Sequence, residues 1–123
     1  MPEPLDPSTL ASQRCPPADA NTPRLPRGEV DRLAAGIDPA WIVEADRIVR
    51  EFRFPTFAAA FGLATRIALL AEAQGHHPTM KIAWGELTVA WTTDAIGAIS
   101  TNDLIMAAKV DRLIDRGLGL KNG

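Results

Sequence analysis

The chain has 123 residues, a formal charge of −2 and one cysteine. That length holds a single core of two packed layers. The basic residues do not cluster, which leaves no footprint for nucleic acid or an acidic membrane surface. The lone Cys15 excludes an internal disulfide and a cysteine zinc site. With no apolar run near the N-terminus and no stretch of roughly 20 apolar residues, the expectation is a cytoplasmic protein in a reducing compartment.

Seven of the ten prolines fall between Met1 and Pro26. Proline removes backbone donors and turns the preceding residue away from helix. Residues 1–25 are therefore expected to form a proline-rich disordered extension, either a solvated tail or a segment that folds on a partner. The folded domain is expected over residues 26–118, with 119–123 as a flexible C-terminus. At its start, Pro26, Val30, Leu33 and Ala34 stand at helical spacing before Gly36, which predicts a short helix from Gly28 to Ala35.

Two strands follow, Trp41 to Glu44 and, after a turn at Ala45-Asp46, Arg47 to Phe54. In the second, Ile48, Arg50, Phe52 and Phe54 alternate with Val49, Glu51 and Arg53, the pattern of a half-buried antiparallel strand. From Phe57 the period becomes helical. Phe57, Phe61, Ala64, Ile67 or Ala68, and Ala71 make one stripe ending near Gln74-Gly75, with Thr56 as the cap. Beyond His76-His77-Pro78, Met80 to Trp84 and Leu87 to Thr93 read as a hairpin turning at Gly85-Glu86. Ser100-Thr101-Asn102-Asp103 has the form of a capping box with Asp in place of Glu, opening a helix to about Arg116 that Gly117 and Gly119 stop. The sum is an α+β fold, a four-stranded antiparallel sheet with three helices on one face in the order α-β-β-α-β-β-α.

His76-His77 sits where a long helix gives way to a strand, a connection on which sites are commonly built. Two imidazoles with reference pKa values of about 6.5 can relay protons near neutral pH. The plainer alternative is that they only punctuate the turn before Pro78. No metal is implied, since no cysteine or third histidine completes a ligand set.

The spacing says more. Glu72, His76-His77-Pro78, Trp84, Asp94 and Asp103 are separated by three, five, nine and eight residues, and this series resembles the signature of the pterin-4a-carbinolamine dehydratases. The segments EFRFPTFAAAF, LLAEAQGHHP and AAKVDRL are similar to that family too, and the likeness spans about Trp41 to Leu113. It implies the fold given above, loss of water from 4a-hydroxytetrahydropterin without a cofactor, and homodimers that pair edge strands and join into tetramers through helices. It also implies roles. His76 and His77 would take the N5 proton and release the 4a-hydroxyl as water, Glu72 would support them from the helix end, and Trp84 would wall the pterin ring. Each has a structural counterpart: Glu72 as a solvated helix residue, Trp84 as a core aromatic, Asp103 as a helix cap. Trp84 and Asp103 are weighted toward structure, and His76 and His77 toward the site.

Asp94 stands where the family pattern has histidine. Its reference pKa of about 3.9 lies roughly 2.6 below that of histidine, worth about 3.5 kcal/mol to a proton-transfer step at neutral pH. A carboxylate there also favours the imidazolium forms of its neighbours. Alternatively, Asp94 accepts two hydrogen bonds from the N3–H and 2-amino groups of a pterin and binds the ligand. Thr79 and Met80 depart from the acidic and the aromatic or aliphatic residue that often follow the histidines. With the long extension, these departures resemble the dehydratase-like branch encoded beside α-carboxysome genes. That resemblance implies a noncatalytic assembly factor or chaperone for RuBisCO in carbon fixation, associated with carboxysomes; the alternative is an active dehydratase using His76 and His77.

Overall fold

Period-two alternation in the two central strands decides which side of the sheet is covered. The computed structural model describes residues 5–114; the end of the last helix, its glycine stop and the expected flexible C-terminus lie outside the described residues. Helix α1 spans Arg27–Ala34, strands β1 and β2 span Ile42–Val43 and Ile48–Arg53, and α2 spans Phe57–Gln74. Strands β3, Thr79–Ala83, and β4, Glu86–Trp91, then lead to α3, Thr101–Ile114. The sheet is antiparallel in the order β1-β2-β4-β3.

In the β2–β4 register Ile48 faces Trp91, Arg50 faces Val89 and Phe52 faces Leu87. These residues share one face because side chains alternate along a strand, and all of them except Arg50 are buried hydrophobics. Helices α2 and α3 pack on this sheet, and α1 rests on α3. The other face carries exposed Glu51, Arg53 and Lys81. Arg50 joins the covered face through its partners. Its guanidinium lies 4.5 Å from the Phe52 ring centroid and pairs with Asp111 at 2.9 Å. Asp111 also accepts from Trp41 Nε1 at 2.7 Å and from the Asp38 amide at 2.8 Å, tying α3 to the chain after α1. Burial nevertheless pushes its carboxyl above the usual range.

Three expectations change. The inward stripe of α2 is Ala60, Leu63, Ala64, Ile67 and Ala71, while Phe57 and Phe61 point outward at 47% and 55% exposure. This helix is apolar almost all round, so periodicity does not single out a face; the small alanines let it approach the sheet. The hairpin turns at Trp84-Gly85, since Ala83 pairs with Glu86. Trp84 therefore stands at a turn tip, 71% exposed, and is no core aromatic.

The third concerns the proline-rich extension. Its described part is packed rather than disordered. Pro7–Ser12 forms a 3-10 helix against α3, with Leu10 fully buried. Pro7 lies so close to Gly36 that a Cβ there would stand 2.0 Å from the Pro7 carbonyl oxygen. The segment's carbonyls are also taken up, Ala11 O accepting from Lys109 Nζ and Pro16 O from Asn102 Nδ2, each at 2.9 Å. A segment without periodicity is ordered when one large apolar side chain and its polar backbone groups find partners on a fold already formed.

Candidate active site

Helix α2 ends on Gly75, whose φ of 68° lies in the left-handed region that glycine enters without strain. The turn carries His76 inward and leaves His77 outward. His76 is 7% exposed, stacks on Trp91 with ring centroids 5.9 Å apart, and places Nε2 2.6 Å from Asp103 Oδ1.

Asp103 is wholly buried. Its Oδ2 accepts from Thr93 Oγ1 at 2.8 Å and from the Ser100 amide at 2.9 Å, while Ser100 Oγ accepts from the Asn102 amide. The capping box is thus formed, and the capping carboxylate also holds the histidine. A carboxylate that is ionised only accepts, and in that state His76 Nε2 is the donor of this hydrogen bond. Asp103, expected as a helix cap, uses one oxygen for the helix start and Thr93 and the other for His76.

His77 has the opposite surroundings. Its Nε2 lies 2.6 Å from Glu72 Oε1, and the two side chains are 59% and 77% exposed. The pair is held weakly, worth at most about 1 kcal/mol in water. Asp94 is exposed on the loop after β4, where Thr93 N bonds Ala98 O at 3.0 Å and Gly97 N bonds Asp94 O at 3.2 Å. Asp94, His76, His77 and Thr93 line one cavity of about 170 Å³, and Ala18 of the N-terminal segment lines it too.

The fold thus assembles His76, His77 and Asp94, with Asp103 behind one imidazole and Glu72 beside the other. It does not bring Trp84 there. That residue follows β3, whereas His76 precedes it, so five strand residues, about 16 Å, lie between them. Among the described residues, no group of three or more His, Cys, Asp or Glu side chains is placed to hold a metal ion. Sequence reasoning missed Thr93, Trp91 and Ala18. Trp91 was legible as the last inward residue of the Leu87-Val89-Trp91 alternation; Ala18 carried no signal.

These features define an α+β protein with a small cavity at one end of its sheet, lined by proton-exchanging side chains. Residues 23–113 match the pterin 4 alpha carbinolamine dehydratase family, and the chain belongs to it. A protein of Chlorobaculum tepidum named "Putative pterin-4-alpha-carbinolamine dehydratase" is 37% identical over 109 residues, covering 85% of this chain and 97% of the relative. One of the same name from Rickettsia canadensis is 34% identical over 108 residues, covering 87% and 99%. The crystal structure of a transcriptional coactivator/pterin dehydratase from Brucella melitensis superposes with a TM-score of 0.67 at 29% identity, covering 74% of this chain and 98% of that one. Among the described residues no helix is long and apolar enough to cross a membrane.

Proposed function

We propose that this chain binds a pterin in the His76/His77/Asp94 cavity and dehydrates 4a-hydroxytetrahydropterin more slowly than a three-histidine site would. The observation that carries this reading is the His76–Asp103 bond, in which a buried carboxylate that also accepts from Thr93 and Ser100 orients one imidazole. A carboxylate so placed holds a histidine in the tautomer and direction proton transfer requires. In the reaction a base takes the proton on N5, an acid protonates the 4a-hydroxyl, the C4a–O bond breaks and a C4a=N5 double bond forms as water leaves. No net proton is gained or lost. His76 and His77 exchange these protons, with Glu72 orienting His77, while Asp94 accepts from the pterin's N3–H and 2-amino groups. Dehydration assays on His76→Ala and His77→Ala test it. Each rate falls by about a hundredfold or more, as loss of a general acid or base predicts; undiminished rates in both variants rule the reading out.

Asp94 favours a second reading, a noncatalytic RuBisCO assembly factor or chaperone in an α-carboxysome setting. The altered Thr79-Met80 pair and the exposed Phe57, Phe61 and Leu69 of α2, open to a protein partner, also support it. Co-expression with RuBisCO subunits gives more soluble assembled enzyme in its presence if this holds; an unchanged yield, together with measurable turnover, leaves the dehydratase. Under either reading the edge strands β1 and β3 suit a homodimer and the cytoplasm suits both; under the dehydratase reading the outward face of α2 suits a tetramer.

A further inference from the structure

Of the residues around the cavity, Ala18 alone comes from the N-terminal segment. The segment that carries it is fastened at several points. The Cys15 amide donates to Gln74 Oε1 at 3.1 Å, Asn102 Nδ2 donates to Pro16 O at 2.9 Å, and the Leu25 amide donates to Ile99 O at 3.0 Å. Between these ties a turn closes on itself, with the Asp19 amide donating to Thr22 Oγ1 at 2.9 Å and the Asn21 amide to Asp19 Oδ1 at 2.7 Å. Pro16, Pro17 and Pro23 restrict the backbone further.

The anchors are not randomly placed. Gln74 stands two residues before His76, and Asn102 is next to Asp103. The same two helix ends that present the histidine and its carboxylate therefore also hold the segment across the cavity. At about 170 Å³ that cavity is smaller than the roughly 300–1,000 Å³ of ordinary ligand pockets. In so small a space, one added side chain in the wall excludes a ligand.

We propose that residues 13–25 form a strap beside the cavity, and that Ala18 is a specificity-determining wall whose small side chain leaves room for a planar bicyclic ligand. This inference rests on the pterin reading of the cavity. Cys15 reports on the strap, because burial pushes its thiol up to about 11 and makes it a poor nucleophile while the strap is seated.

The experiment uses the full chain and two measurements. Calorimetric titration with 7,8-dihydrobiopterin gives binding at least about tenfold weaker for Ala18→Trp than for the unaltered protein. Ala20→Trp, on the exposed turn, binds unchanged, and Ala18→Leu falls between. Without ligand, iodoacetamide modifies Cys15 about tenfold faster in Asn102→Ala and in Gln74→Ala, which release the strap, and at the original rate in Ala18→Leu. Equal affinity of the unaltered protein, Ala18→Trp and Ala18→Leu overturns the wall while leaving the pterin reading intact. Unchanged Cys15 modification in both anchor variants overturns the strap. Absence of binding by the unaltered protein removes the pterin reading and this inference with it.

Discussion

His76 and His77 are neighbours in the chain and opposites in surroundings. One is stacked on Trp91 and held by a carboxylate with no solvent exposure; the other shares a hydrogen bond of the same 2.6 Å length with a carboxylate that is mostly in water. The difference teaches that equal distances are not equal interactions. Breaking the inner pair strands buried donors, whereas water replaces either partner of the outer pair. The inner half is held by buried partners, and the outer half, with Asp94, meets solvent.

The largest test of that contrast is Asp103→Ala. It leaves His76 and the Ser100 amide without their acceptor and the Thr93 hydroxyl with only Ser100 Oγ, and at about 1–3 kcal/mol for each stranded group the loss reaches about 3 kcal/mol in urea unfolding. A loss below about 1 kcal/mol would show that the inner cluster is no tighter than the outer pair. Next comes Asp94→His, which returns an imidazole to the cavity. The dehydration rate rises by about tenfold or more with little change in stability; a rate that stays flat would place the limiting step elsewhere.

Cys15 offers a pH test on the inner side. Its thiol is raised from 9.0 to about 11 by burial. The thiolate is therefore favoured in the unfolded chain, so the contribution of this group to stability is complete below 9.0 and is lost as pH rises through about 11. Iodoacetamide modification of the folded protein should keep accelerating past pH 9; a plateau near 9 would mean that the strap is not seated. The smallest effect belongs to Glu72→Ala, which changes unfolding free energy by less than about 1 kcal/mol. A larger loss would erase the contrast between the two histidines.

The inner cluster was only partly legible. The capping box at Ser100 to Asp103 is a local pattern, and it formed. That the same carboxylate reaches His76, 27 positions earlier, depends on how α3 lies against the end of α2. Trp84 shows the reverse case. Its place in the spacing marks the family, yet the two-residue turn puts it at the far end of β3 and in solvent. The outward Phe57 and Phe61 have a related cause, since a helix apolar on most sides has no period to reveal its inner face. The packed extension was hidden for a different reason, because prolines lower local propensity while Leu10 finds its burial on α3, about a hundred residues along the chain.

By itself the sequence determined the order of the helices and strands, the antiparallel sheet and the family, because alternation and caps act over a few residues. Tertiary structure alone decided that His76 is buried and His77 exposed, that Asp103 serves helix and histidine together, that Trp84 stays away, and that Ala18 lines the cavity. Those outcomes depend on which distant surfaces come into contact, and burial is a property of contacts rather than of any local pattern.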